Sequence, residues 1–202
     1  MPKIVDHDAR RVHIVEAVMS VVAREGFEHA TMRKVAAEAG FAHGAIAYYF
    51  PDKRSMLTAA FQTVFEESND RVAERTRGRR GLDAVAHLCA ALLPRHSDGP
   101  TGERIVLAFW ALAAEDTELQ ELHRRYQIGR RDQIQRHIQE AVDDGEVDAA
   151  LDILAAVNQI AAFNAGWQMI GTLLPERAGT AEIRRSIAEM VGRFRLPRPP
   201  ER

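Results

Sequence analysis

Cysteine is nearly absent from this chain: Cys89 stands alone in 202 residues. That excludes an intrachain disulfide and any cysteine-based metal site. Long apolar runs are missing too, and none approaches the roughly 20 residues a membrane-spanning helix needs. The segment Met1 to Arg11 is charged and has no apolar stretch, so no secretory signal is expected there. These absences predict a cytoplasmic protein that engages no membrane. Strand-forming runs of β-branched and aromatic residues are missing as well. So are a phosphate-cradling glycine loop, a Gly-x-Ser-x-Gly elbow, a His-Glu-x-x-His pair and a recognisable acid/base carboxylate pair. The eight histidines are scattered, with His123 and His137 far apart on one long helix. No catalytic residue, metal or cofactor is expected. Charge of one sign is also lacking, and the net −2 argues against a protein that coats nucleic acid nonspecifically. The balance is uneven: residues 1–54 hold 8 Lys and Arg against 7 Asp and Glu, and the rest holds 19 against 22. A local DNA contact at the head is compatible with that.

What remains is a chain that is 46% hydrophobic, enough for a sizeable core, rich in Ala, Leu, Arg and Glu. The expectation is an all-α protein of about nine helices. Ile14, Ala17, Val18, Val21 and Val22 repeat at helical spacing, predicting a first helix over about Asp8 to Arg24, with Gly26 as its C-cap. Thr31 can cap a second helix that turns Val35, Ala36 and Ala39 inward and stops at Gly40. A short third helix, about Ala42 to Tyr49, ends before Pro51. Asp52 can cap a fourth, with Met56, Leu57, Ala60, Phe61, Val64 and Phe65 on its stripe. After a Gly/Arg-rich break at Thr76 to Gly81, helices are expected over Leu82 to Leu93, Glu103 to Ala114, Thr117 to Asp144, Val147 to Leu173 and Thr180 to Phe194. The functional division expected is a three-helix head at 1–53, a larger helical body for ligand binding and dimerisation at 54–195, and a disordered tail at 196–202.

The head holds the sharpest signal. A helix-turn-helix needs a small residue where two helices cross, a tight turn, and an apolar anchor on the second helix. Ala36, Gly40 and Ile46 have those types at fitting positions, with Phe41 and Tyr49 completing a small core. The third helix then turns Ala42, His43, Gly44, Ala45, Ala47 and Tyr48 outward, a small-residue face that can enter a major groove about 12 Å wide. His43 is placed to reach a base edge or phosphate, and Arg33 and Lys53 to meet the backbone. The plainer alternative is that residues 31–50 are a compact helical hairpin with two aromatics in simple packing.

The stretch from Thr31 to Leu57, TMRKVAAEAGFAHGAIAYYFPDKRSML, resembles the N-terminal signature of the tetracycline-repressor (TetR) family. The upstream helix ending Arg24-Glu-Gly-Phe27 is similar to that family's as well, so the resemblance spans about residues 9–60. It implies DNA contacts at Thr31, Arg33, His43, Gly44, Ala45, Tyr48, Tyr49 and Lys53. Two departures stand out: Ala42 replaces the usual capping serine or threonine, and Ala47 a common phosphate-binding tyrosine, for which Tyr48 or Tyr49 can compensate.

The family also implies an effector site among the middle helices and a dimer interface on the last two. For the dimer, Ile183, Ile187, Met190, Val191 and Phe194 form an apolar stripe, and Leu151, Leu154, Ala155, Ala161, Ala162 and Ala165 a wide small-residue surface. The alternative is that the chain's own core consumes both. For the effector, Phe109, Trp110, Tyr126, Phe163 and Trp167 are large aromatics on three helices that could cage a hydrophobic or quaternary ammonium cation. Asn158, Gln159 and Asn164 could add polar anchors. Leu107-Ala-Phe-Trp-Ala111 resembles the choline-responsive, BetI-type branch, although Asn158-Gln159 replaces its frequent Asp-Gly; aromatics at helical spacing are also ordinary core. The expected function is a homodimeric, ligand-responsive transcription regulator, a repressor released from a palindromic double-stranded DNA operator by a small molecule. The fourth helix would be its lever. Two rivals remain: a helical small-molecule-binding protein without DNA affinity, and a helical enzyme.

Overall fold

The computed structural model describes residues 7–93 and 101–196, the side chain of His43 excepted. Among the described residues the chain forms nine α-helices: α1 (His7–Glu25), α2 (Met32–Glu38), α3 (His43–Tyr49), α4 (Lys53–Thr76), α5 (Gly81–Leu92), α6 (Thr101–Ala113), α7 (Thr117–Asp143), α8 (Ile153–Leu173) and α9 (Thr180–Gly192). Short 3-10 turns follow α1 at Phe27–His29 and α8 at Pro175–Arg177. The extended pairing among these residues is one isolated bridge, Val147 with Arg195. No helix described is long and apolar enough to cross a membrane. The chain folds as two compact units, Met1–Glu66 with Ser97–Leu119, and Glu67–His96 with Gln120–Arg202.

In the first unit, α1 turns Ile14, Val18, Val21 and Val22 fully inward and packs on α2 and α6. The α6 contribution is Ile105 and Phe109, both fully buried. Phe109 lies flat on Phe61 of α4, centroids 3.7 Å apart and planes within 5°. Each such ring contributes about 1.5–3 kcal/mol by leaving water. Arg104 of α6 donates to the Ala23 carbonyl, near the end of α1, where carbonyls lack helical partners and the dipole is negative. Arg54 of α4 donates to Asp116 at 2.7 Å and Glu118 at 3.0 Å. Asp116 in turn accepts from the Glu118 and Leu119 amides that open α7, so α4 is tied to a helix start.

In the second unit the core is Leu82, Val85, Leu88 and Cys89 of α5, Ile134 and Ile138 of α7, Val157 and Ile160 of α8, and Ile183, Ile187 and Val191 of α9. The start of α5 is capped from afar. The Gly81 amide donates to Glu140 and the Leu82 amide to Glu146, while Gly81 holds a φ of 59°.

Two expectations need correcting here. Residues Val147 to Asp152 are not the first turns of α8: Val147 bridges to Arg195, and the Asp152 carboxylate caps the helix by accepting from the Ala155 amide at 2.9 Å. The α9 residues Ile183, Ile187 and Val191 are buried within their own unit, while Met190 and Phe194 are half-buried against the same core. The large apolar residues exposed in this unit include Leu154, Met169, Leu173 and Leu174 on α8 and just beyond it, with Ile128 on α7 and Leu196. Of the tail at 196–202, residues 197–202 lie outside those described; Leu196 is tied by its amide to the Glu146 carbonyl at 2.9 Å.

Candidate nucleic-acid interface and effector residues

The local sequence builds the helix-turn-helix step by step. Thr31 takes an extended conformation and its hydroxyl accepts from the Lys34 amide, satisfying one donor that a helix start leaves over. Gly40 adopts a φ of 68°, which a side chain would resist, and the Phe41 amide closes the turn on the Ala36 carbonyl at 2.9 Å. Ala36 is buried at the crossing. Ala42 caps α3 by backbone alone, with no side-chain hydrogen bond, as the missing hydroxyl requires. Asp52 then caps α4, accepting from the Ser55 amide at 2.6 Å.

The small core beneath α3 differs from expectation in its aromatic residues. Ile46 is buried as expected, but its buried aromatic companion is Phe50, 1% exposed, while Phe41 and Tyr49 are both half-buried. Pro51 forces Phe50 out of helical angles, to φ −138° and ψ 112°, and that swings its ring inward. Arg11 of α1 stacks 4.4 Å over this ring and donates to the Tyr49 carbonyl at 3.3 Å.

The outward face of α3 carries Gly44, Ala47 and Tyr48, with Ala42 exposed just before it. Tyr48 is 75% exposed; Ala45 is half-buried. The Tyr49 hydroxyl lies 3.3 Å from His7 Nδ1, and the His7 ring sits 5.7 Å from that of Tyr48. Thr31 and Arg33 are exposed on α2. Lys53 is more committed, donating to the Glu28 carbonyl at 3.0 Å and lying 4.2 Å over the Phe27 ring. The His43 side chain lies outside those described. Missing from the expectation were His7, beside the Tyr48 and Tyr49 rings, Arg11, which donates to the Tyr49 carbonyl, and Arg10, over the Phe41 ring; their only sequence signal was the His7, Arg10 and Arg11 run itself.

Ion pairs brace this face. Glu38 of α2 accepts from Arg24 at 2.9 Å and Ser20 at 2.6 Å, and those hydrogen bonds hold its carboxyl down at about 2. Lys34 pairs with Glu25. Of the basic residues on α2, Arg33 is thus the one without an ion pair among the described residues.

The aromatic residues considered for an effector divide between the units: Phe109 and Trp110 in the first, Tyr126, Phe163 and Trp167 in the second. Phe109 is fully buried; the other four are half-buried. Phe163 and Trp167 meet edge to face, centroids 6.3 Å apart. Asn158 is exposed and accepts from Arg131 of α7, and Gln159 is exposed as well. The inward polar residue of α8 is Asn164, 6% exposed.

A capped helix pair holding a small-residue helix outward, within a wholly helical chain, defines a helix-turn-helix protein. Two family models carry this further: that of bacterial regulatory proteins of the tetR family matches residues 14–60, and that of the BetI-type transcriptional repressor C-terminal region matches residues 81–195. The chain belongs to the TetR family, with a C-terminal region of the BetI type. It is 29% identical over 193 residues to the HTH-type transcriptional regulator BetI 2 of Chromohalobacter salexigens, covering 91% of this chain and 87% of that one. To the regulator PksA of Bacillus subtilis it is 30% identical over 120 residues, spanning 59% of this chain and 58% of that protein's length. Among solved structures, a transcriptional regulator from Saccharomonospora viridis in complex with choline has the same fold, with a TM-score of 0.85 and 17% identity over 95% of this chain and all of that one.

Proposed function

We propose that the chain is a cytoplasmic, ligand-responsive transcription regulator, a repressor that leaves a palindromic operator when a small organic molecule binds. The observation that carries this is the outward face of α3: Gly44, Ala47 and Tyr48 exposed above a buried Ile46 and Phe50, in a chain of the TetR family. A helix whose exposed positions are mostly hydrogen or methyl can sit deep against base edges. Around it Thr31, Arg33, Tyr49 and Lys53 contribute backbone or edge contacts. The head at 1–53 reads DNA; the body at 54–195 binds ligand and pairs two subunits. So short a recognition helix needs two half-sites for useful affinity. The exposed Leu154, Met169 and Leu173 of α8 form the partner surface, with Ala162 between them.

The effector is a small organic cation, in keeping with the choline bound by the S. viridis regulator and with Tyr126, Phe163 and Trp167 of the second unit as aromatic faces. Its occupancy favours a body conformation whose heads are wrongly spaced, and operator affinity falls by linkage. The helix α4, which like α7 runs through both units, is a covalent path between them.

Gel retardation against the DNA upstream of the protein's own coding sequence tests this. Retarded bands are expected, with log affinity falling linearly in log salt and Arg33→Ala reducing that slope by about two units, one for each half-site. A folded dimer that retards no fragment at low salt overturns DNA reading.

A further inference from the structure

The apolar stripe of α8 changes character along its length. Val157 and Ile160 face the core of the second unit; the next residues on that face are Asn164 and then, one turn on, Gln168. Asn164 is 6% exposed. Its side chain meets the buried Cys89, whose thiol is pushed up to about 12 by burial, the Asn164 hydrogen bond offsetting only part of that rise. Oδ1 of Asn164 and Oε1 of Gln168 are both buried without a hydrogen-bond partner. Buried acceptors are nearly always paired, because an unpaired one forfeits its hydration with no return. Two in succession on one helix face, beside the edge-to-face pair of Phe163 and Trp167, are a site awaiting donors.

We infer that Asn164 and Gln168 are the polar anchors of the effector site, and that the effector presents two hydrogen-bond donors to them. This rests on the second unit being the ligand-binding part, and it narrows the chemistry of the ligand. Residues four apart on a helix place their Cβ atoms about 5–6 Å from each other, a span that an ammonium N–H and a hydroxyl two carbons away can bridge. Amide oxygens and ring faces both present negative potential, which suits an N–H on a cationic nitrogen. The class is therefore a partly alkylated amino alcohol. A quaternary amino alcohol supplies one donor only, and a fully substituted ammonium or its carboxylate derivative supplies none.

Titration calorimetry of the full-length protein with four probes tests the inference: N,N-dimethylethanolamine with two donors at neutral pH, choline with one, and glycine betaine and tetramethylammonium with none. Affinity is expected to fall about tenfold for each donor lost. In Gln168→Met the preference for dimethylethanolamine over choline collapses towards unity, while the thermal midpoint of the unliganded protein stays level or rises because an unpaired acceptor has gone. Asn164→Leu does the same where it folds; Gln168→Met carries the test where it does not. Equal affinity for choline and dimethylethanolamine, no binding of dimethylethanolamine, or a lowered unliganded midpoint in Gln168→Met with the ranking intact overturns the assignment. Gel retardation by the unliganded protein is measured alongside, so loss of DNA binding counts against the regulator and not against the ligand ranking.

Discussion

Tyr48→Ala separates recognition from packing at the candidate DNA interface. The side chain is 75% exposed, and its described contacts are the rings of His7 at 5.7 Å and Tyr49 at 5.2 Å. Aromatic pairs contribute about 0.5–1.5 kcal/mol when buried, so at this exposure truncation costs folding less than about 1 kcal/mol. In the complex one lost contact costs about 1–3 kcal/mol per half-site, and a symmetric dimer loses it twice. The operator dissociation constant should therefore rise between about 30-fold and about 10⁴-fold. Fluorescence anisotropy with a labelled operator at fixed salt reads the affinity, and urea melts read the stability. Phe50→Ala is the control. That ring is 1% exposed, and its removal costs about 3–5 kcal/mol, so binding there fails together with folding. Tyr48→Ala binding within threefold of the parent, or unfolding as easily as Phe50→Ala, would refute the outward role of the tyrosine.

Three further perturbations bear on the scaffold. Gly81→Ala introduces a Cβ that overlaps Glu146 Oε1, at a φ of 59°. Left-handed strain of about 1–2 kcal/mol adds to about 1 kcal/mol for the displaced Leu82 hydrogen bond, so the melting midpoint drops by several degrees; a midpoint within 1 °C, roughly the scatter of such melts, denies the close approach. Glu38 has a folded pKa of about 2 against an ordinary 4.5, because Arg24 and then Ser20 hydrogen-bond its charged form. Its contribution is present above the unfolded value and is lost as pH falls towards the folded one. The stability gap between the parent and Glu38→Gln should close between those two pH values, and a gap constant with pH would contradict the pairing. Leu154 and Leu173 are each 64% exposed; the double change Leu154→Glu and Leu173→Glu should yield a monomer by sedimentation without lowering the midpoint of the subunit. A persistent dimer places the interface elsewhere.

The head was legible because its determinants are local. Thr31, Gly40 and Asp52 act on atoms two to five residues away, and each does in the fold what its residue type implies. Phe50 escaped because it lies just past the last helical residue: Pro51 holds it at extended angles, and a side chain out of helical phase points where no helical count predicts. The Val147 to Asp152 segment has helix-compatible residues, but its conformation is set by Arg195, nearly 50 positions away. The α9 stripe shows a different limit. An apolar face at helical spacing is the same pattern whether its own core or a second subunit covers it, and only the packing of Ile183, Ile187 and Val191 against α5 decides. Asn158 and Asn164 were equally plausible anchors by composition; which one turns inward depends on the phase of α8.

The interior of the second unit also bears on why hydrogen bonding, more than charge, should select the ligand. Arg130 of α7 is only 7% exposed, on the same face as Ile134 and Ile138. Its guanidinium donates to neutral oxygens of Gln133, Ser68 and Asn69. Burial, then the nearby Arg71, pull its pKa down to about 10, which still leaves it charged at neutral pH. The attraction of a bare cation to aromatic faces is about 0.5–2 kcal/mol at best. An ammonium that also donates to Asn164 and Gln168 adds a hydrogen bond to each of two acceptors that are otherwise orphaned. Departures from an apolar core that cost stability and mend no fold belong to sites. In α8 the departure falls on the two residues whose oxygens have nothing else to bind.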